Sequence, residues 1–321
     1  MMLNFFDEIK NELRIVEDEL KLAVRSSDPL LTETSTHLIN AGGKRLRPAF
    51  CLLGGKFYNF NLDKLIPLAV ALELIHMATL VHDDVVDSSL TRRGIPTVKA
   101  KWGNRISTHI GDYLLGKSLI LISRYENPLI PKVLADTSVK MCEGEIIQIT
   151  TSYNTDQTIR DYFYRINRKT ALLISASCQL GAVACGAPAP LHQSLRRFGH
   201  HIGMAFQITD DILDMTAEQI KLGKPVGGDL QQGIITLPTI YALQHSSERQ
   251  KLHELITKPN KAEEEINEAI ALITACGGID YSAEMARKYI VKAKKELSRL
   301  PDVPVKKTMQ IIADFIAIRK F

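Results

Sequence analysis

DKLIPLAVALELIHMATLVHDDVVDSS, residues 63–89, decides how the rest of the chain reads. After its first turn the run is apolar on every side, broken only by Glu73, His76, Thr79 and His82, until three aspartates arrive together. It is far longer than a strand, most of which have 3–10 residues. A helix that is apolar all round belongs inside a large helical assembly. Asn61 or Asp63 is its N-cap, and Arg92-Arg93-Gly94-Ile95-Pro96 breaks it. Asp83, Asp84 and Asp87 then sit at its C-terminal end, where the helix dipole disfavours negative charge. At 100° per residue, Asp83 and Asp87 stand one turn apart on one face.

The same signature returns at Asp210-Asp211-Ile212-Leu213-Asp214, again closing an apolar run. Like charges one turn apart repel by about 0.2–0.5 kcal/mol even on an open surface. A single D-D-x-x-D is readily a solvated helix end, but two on apolar helices call for cations. Clusters made of carboxylates alone suit hard ions, Mg²⁺ above all, which keeps waters and bridges to substrate phosphates.

Working outward, helical periodicity continues over residues 6–24, 105–125, 135–150, 158–185 and 191–215, and amphipathic helices fill most of the remainder. No strand pattern competes, and no Gly/Ser- or Pro-rich linker divides the chain. The expectation is all-α: one large helical bundle over residues 1–321, a single domain with a core well able to support itself. Its 321 residues are 45% hydrophobic and carry a net charge of +4 without a basic stripe interleaved with aromatics, which argues against a nucleic-acid partner. Five cysteines without C-x-x-C spacing read as buried, reduced thiols of a cytoplasmic protein. The N-terminus lacks the pattern of a signal peptide. Residues 171–191 hold no charge and approach membrane-spanning length, but serines, Gln179, glycines and prolines dilute them, so a buried helix is the better account than a transmembrane segment.

Several polar positions surround the acidic motifs. Gly42-Gly43-Lys44-Arg45-Leu46-Arg47-Pro48 opens a helix, so backbone N–H groups and three basic side chains converge on an anion, with Lys44 and Arg47 on one face. A basic helix start is also commonly just solvated surface. Arg92 and Arg93 follow the first acidic motif and either balance its charge or serve two separate anions. His76 lies two turns before Asp83; a lone histidine on an apolar helix is usually a core residue, and only the alignment lifts this one. His82 reads as structural. Gln207 precedes Asp210 by three, Lys169 and Thr170 interrupt an apolar helix, and Lys224 sits in a glycine-rich loop. Together these residues imply polyphosphate with no Gly-x-x-x-x-Gly-Lys loop to make it a nucleotide. The apolar helices imply a greasy substrate tail, and no Ser/His/Asp or Cys/His pairing suggests a covalent step.

In order, G-G-K-R-x-R-P, L-x-H-D-D-x-x-D, R-R-G-x-P-T, G-D-Y-L-L, K-T-A and F-Q-I-x-D-D-I-L-D resemble the motifs of the trans-isoprenyl diphosphate synthases, across nearly the whole chain. Within that family the sequence is similar to the catalytic component of bacterial two-subunit hexaprenyl and heptaprenyl diphosphate synthases. The resemblance implies a Mg²⁺-dependent prenyltransferase that condenses an allylic diphosphate, farnesyl diphosphate for preference, with successive isopentenyl diphosphates, for a quinone such as menaquinone. It implies three Mg²⁺ ions with substrate bound, on Asp83, Asp87 and Asp210, supported by Asp84, Asp211 and Asp214. Arg92, Lys169, Thr170, Gln207 and Lys224 would hold the allylic diphosphate; Gly43, Lys44, Arg47, His76 and Arg93 would hold isopentenyl diphosphate. Catalysis would centre on Asp83, Asp87, Lys169, Gln207 and Asp210. One departure is Ile234, where long-chain members often carry lysine. A homodimer, or a heterodimer with a small accessory subunit, is implied, with peripheral membrane contact for product release.

Product length has its own expectation. The growing tail should pass Thr79, Ala78, Ile75, Leu74 and Ala71 toward a floor at Ile146 and Ile149. Family members that stop short place a bulky aromatic at the position of Ala78 or Thr79, and here both residues are small. Rival readings are a homodimeric octaprenyl-type synthase, a terpene cyclase or head-to-head synthase, and a non-catalytic regulatory subunit. The Lys44, Arg47, His76 and Arg93 set argues against a cyclase, and two intact acidic motifs argue against a regulatory subunit.

Overall fold

A computed structural model of the chain describes residues 4–216 and 226–318. It is almost wholly helical, and it gathers into two compact units. One holds the residues up to Ser138 with Leu173–Gly199 and Leu297–Met309; the other holds Val139–Leu172, His200–Glu296 and the residues from Gln310 on.

The first unit begins with a 3₁₀ turn, Asn4–Ile9, then α1 (Lys10–Ala23), α2 (Pro29–Asn40), α3 (Leu46–Gly55) and α4 (Leu62–Val86). Leu13, Val16 and Leu20 bury one face of α1, the period a helix requires. Asp28 caps α2 by accepting from the Leu30 and Leu31 amides at 2.8 and 3.3 Å, with Pro29 at the first helical position. Asn61, rather than Asp63, caps α4 through the Lys64 amide at 3.1 Å. α4 is long and apolar enough to cross a membrane, yet 72% of its apolar window is buried, the position of a core helix. Leu65, Leu68 and Leu72 are wholly buried along it, each contributing about 2 kcal/mol of transfer free energy.

Residues 91–96 are a two-stranded hairpin, β1 (Thr91–Arg92) against β2 (Ile95–Pro96), where the sequence suggested only a break. Arg93 and Gly94 both have positive φ, 53° and 80°, as a tight two-residue hairpin turn requires. α5 (Val98–Ile122) starts earlier than expected because Thr97 caps it, and it kinks at Gly103 with φ 81°. α4 packs chiefly on α5 and α3. α8 (Leu172–Ala184) crosses α3 closely: a Cβ at Gly181 would lie 1.9 Å from the Cys51 carbonyl oxygen, and one at Gly54 2.4 Å from that of Cys178.

The second unit draws on α6 (Leu129–Thr150), α7 (Ile159–Ile166) and a π turn (Asn167–Ala171), then on α9 (Ala189–Thr216), α10 (Gly228–Gln231), α11 (Leu237–His245), α12 (Arg249–Thr257), α13 (Glu263–Ala275), α14 (Gly278–Ser298) and α15 (Pro304–Ile318). The helix expected over residues 158–185 is thus an α-helix, a wide turn and a second α-helix. It opens on a reciprocal cap between Thr158 and Asp161. Tyr162, Ile166, Met204, Ile208, Leu237, Ile240 and Ile273 form the core of this unit. Every changeover of the chain between units falls inside a helix (α6, α8, α9, α14 or α15) rather than in a loop. Cys51, Cys178 and Cys185 are buried as expected, but Cys142 is exposed and Cys276 half-buried.

Candidate active site

In the first unit the acidic motif closes α4. Asp84 is buried, and Arg92 donates to its Oδ1 through both Nε and Nη2, at 2.9 and 2.7 Å. Asp83 is half-buried, and Asp87 is the C-cap, its amide donating to the Asp83 carbonyl at 2.8 Å. The middle aspartate is therefore held by the hairpin, one turn from its neighbour at the helix end. Arg92, expected on the allylic diphosphate, spends at least two donors on this pair.

The basic loop differs from the expectation in one respect. Arg45 is turned inward with a left-handed backbone, φ 48°, and is only 5% exposed. Its guanidinium donates to Glu17 at 2.7 and 3.0 Å, to Glu73 at 3.1 Å and to the Ile39 carbonyl at 3.0 Å. So three basic side chains do not converge on an anion; Arg45 staples the loop to α1 and α4. Nor do Lys44 and Arg47 share a helix face, because α3 begins at Leu46. Gly43 has φ 149°, and a Cβ there would lie 2.5 Å from Arg93 Nη1, so the guanidinium of Arg93 rests on bare backbone. Burial, then the charges of Arg47, Arg93, Arg92 and Arg45, hold His76 well below its ordinary pKa, so its ring is neutral. Gly43, Arg47, His76 and Arg93 are thus brought into one neighbourhood. His82, read as structural, lies over Gly111 of the G-D-Y-L-L motif, where a Cβ would come within 2.2 Å of its ring. Its Nε2 is 3.2 Å from the Thr108 carbonyl oxygen and 3.4 Å from Asp112.

In the second unit the acidic motif closes α9 on a buried network. Tyr162 donates to Asp211 Oδ2 at 2.6 Å, and Gln207 Nε2 donates to Asp211 Oδ1 at 2.7 Å. Thr170 Oγ1 in turn donates to Gln207 Oε1 at 2.6 Å. Burial pushes the Asp211 carboxyl up to about 6, against the two hydrogen bonds and the charge of Arg165, which pull it down. Burial, with Asp211 beside it, pushes the Tyr162 phenol well above its ordinary value and keeps it a donor. Asp214 accepts from the Asp229 amide at 3.0 Å, and its carbonyl takes the Gly227 amide at 2.7 Å. Lys169, on the π turn, pairs with Glu145 at 2.7 Å. π turns are recurrent at functional sites because they re-aim side chains within a helix. The structure therefore joins Thr170, Gln207 and Asp211, and places Asp210 half-buried beside them. Lys224 lies outside the described residues. Ile234 is half-buried and donates its amide to the Asp229 carbonyl at 2.8 Å.

Sequence reasoning missed Tyr162, Arg165, Glu17 and Glu73. Arg165 is buried and donates to Gln157 at 2.7 Å and to the Ile235 carbonyl at 2.6 Å. The only signal for Tyr162 was its place seven residues before Lys169, which helical phase obscures across a π turn.

Ala71, Leu74, Ile75 and Ala78 are buried on α4, and Thr79 is half-buried with its hydroxyl on the His76 carbonyl at 2.8 Å. Ile146 and Ile149, the expected floor, are 59% and 44% exposed. With Val139 and Cys142, also exposed, they form an apolar stripe at heptad spacing.

The donor set fits Mg²⁺. Among the described residues no three His, Cys, Asp or Glu side chains close into a metal cage. Carboxylates alone, as at each acidic helix end, suit a hard ion that retains waters and completes its shell with phosphate oxygens.

A family model described as polyprenyl synthetase matches residues 28–273. The chain is 45% identical over 313 residues to heptaprenyl diphosphate synthase component 2 of Bacillus subtilis (strain 168), covering 98% of this chain and 89% of that protein. It is 47% identical over 313 residues to the protein of the same description from Geobacillus stearothermophilus, covering 98% and 97%. Among solved structures it is similar to heptaprenyl diphosphate synthase from Staphylococcus aureus, with TM-score 0.91, 38% identity and coverage of 97% and 98%. It is also similar to a Caulobacter crescentus CB15 polyprenyl synthase complexed with calcium and isoprenyl diphosphate, with TM-score 0.94, 32% identity and coverage of 98% and 97%. The chain belongs to the polyprenyl synthetase family, and is an all-α prenyltransferase that elongates prenyl diphosphates.

Proposed function

We propose that the chain is the catalytic component of a two-component synthase that extends farnesyl diphosphate with isopentenyl diphosphate to hexaprenyl or heptaprenyl diphosphate, for a quinone side chain. The observation that carries this reading is the pair of acidic helix ends. In each, the middle aspartate is fixed by the protein's own donors while the first, Asp83 or Asp210, stands half-buried beside it.

Asp83, Asp87 and Asp210 would hold Mg²⁺, with Asp84, Asp211 and Asp214 behind them. Bound Mg²⁺ supplies positive charge that offsets the charge building on the leaving diphosphate. Lys169, Thr170 and Gln207, with Arg92 and Lys224, orient that allylic diphosphate. At an effective dielectric near 20, one well-placed unit charge about 4 Å away contributes about 4 kcal/mol to ionising the C–O bond. Gly43, Lys44, Arg47 and Arg93 bind isopentenyl diphosphate, and the neutral ring of His76 adds a hydrogen bond without adding charge. The double bond of isopentenyl diphosphate attacks the allylic cation, and a proton then leaves to the departed diphosphate, since no side-chain base presents itself. Water has to be kept out or the cation is quenched. The tail follows the α4 residues 71–79, so Ala78→Phe should shorten the main product.

Two of the relatives are described as component 2, which supports a first, accessory component. The exposed stripe Val139, Cys142, Ile146 and Ile149 on α6 is the surface we assign to a helix of that accessory component. The enzyme works in the cytoplasm and sheds its lipid product by brief contact with membrane. The test incubates the purified chain with Mg²⁺, farnesyl diphosphate and isopentenyl diphosphate, alone and with a candidate accessory subunit, and reads product lengths by chromatography. Long products in the mixture only are expected. A single long product from the chain alone would overturn the two-component reading, and no product in either arm would overturn the substrate assignment.

A further inference from the structure

We infer that Tyr162 is a positioning residue for the second acidic cluster, presenting Asp210 and Gln207 to a divalent cation and an allylic diphosphate through its hydrogen bond to Asp211. The inference rests on the functional reading above, since it assigns a role toward that reading's ligands.

Three observations carry it. Tyr162 is wholly buried, and its one side-chain polar atom goes to Asp211 Oδ2 at 2.6 Å. Asp211, 4% exposed, gives its other oxygen to Gln207, whose carbonyl oxygen accepts from Thr170. A continuous hydrogen-bonded chain therefore runs from α7 through α9 to the π turn, and neither oxygen of Asp211 is without a protein donor. Asp210 is the next residue on α9, so the rotation of that helix end is set by how Asp211 is held. A carboxylate consumed in this way serves as an anchor, with its neighbours as ligands. Supporting groups of this kind typically alter metal affinity or activity by 10- to 100-fold when removed. A purely packing role is the alternative: the Tyr162 ring meets Phe163 with centroids 5.5 Å apart and lies 5.7 Å from the Arg165 guanidinium carbon. Packing needs the ring alone, whereas positioning needs the hydroxyl.

Tyr162→Phe separates the two, because it keeps the ring and deletes one hydroxyl. Mn²⁺ binding to the full chain in the presence of inorganic pyrophosphate is followed by electron paramagnetic resonance, alongside steady-state kinetics and a thermal melt. The expected result is an Mn²⁺ dissociation constant about 10-fold weaker in the variant, with KM for the allylic diphosphate raised and KM for isopentenyl diphosphate unchanged. Unchanged Mn²⁺ affinity in Tyr162→Phe, beside a wild type that binds Mn²⁺ and transfers prenyl groups, would overturn the inference and leave the functional reading intact. So would a non-selective loss, in which the melt collapses and both KM values rise together. A wild-type chain that neither binds Mn²⁺ with pyrophosphate nor elongates a prenyl diphosphate would overturn the functional reading itself, and the inference with it.

Discussion

The two acidic helix ends carry one motif and are held in unlike ways. At the end of α4 the middle aspartate is tied by an arginine from a surface hairpin, and that arginine side chain is still 29% exposed. At the end of α9 the middle aspartate is tied by a wholly buried tyrosine and by a glutamine in a chain of neutral donors. An ion pair with one partner partly exposed is screened more than a wholly buried contact. A buried network is rigid, and it leaves a donor stranded if any member is lost. The same five-residue pattern is thus compatible with a compliant support and with a stiff one.

The largest expected effect tests whether the two ends are equivalent in the chemistry. Asp83→Ala and Asp210→Ala should each lower kcat/KM by about 10³-fold, the equivalent of one well-placed charge of about 4 kcal/mol. A large loss at one end only, in steady-state assays with saturating Mg²⁺, would break that equivalence.

A smaller effect separates the supports. Asp211→Asn sets an amide between two buried donors and should lower stability by about 1–3 kcal/mol. Asp84→Asn weakens a partly exposed ion pair and should lower it by about 1 kcal/mol or less. Urea unfolding of both variants measures the difference, and equal losses would mean that the supports do not differ as described.

The smallest effect is one of pH and belongs to the first unit. His76 is held below its ordinary pKa of about 6.5 when folded, so the unfolded chain binds the extra proton first. The stability this contributes is present above that pH and falls away as the solution is acidified below it. His76→Asn should flatten the decline in unfolding free energy between pH 7 and pH 5.5. An identical decline in variant and wild type would show that burial and the arginines around His76 do not hold its pKa down.

Much of this was legible from residue types. The all-apolar run of α4 and its acidic end follow from residue types and period, and the structure has them where they were expected. Arg45 was not legible, because nothing in a run of three basic residues says that the middle one adopts a left-handed backbone and faces two glutamates, one of them buried. The changeovers between units were hidden because they fall within helices, without the loop or composition shift that marks a boundary. Ile146 and Ile149 show the limit of periodicity: spacing reveals an apolar face but not what covers it.

The wide turn at Asn167–Ala171 has a consequence for anyone altering this protein. A π turn amounts to one residue inserted into a helix, so everything beyond it is rotated by about 100° from where regular winding would leave it. Removing a single residue from this stretch would let α7 wind straight into α8 and turn Lys169 and Thr170 off their partners, with hardly any change in helix content. Circular dichroism would be blind to such a deletion, and turnover would not.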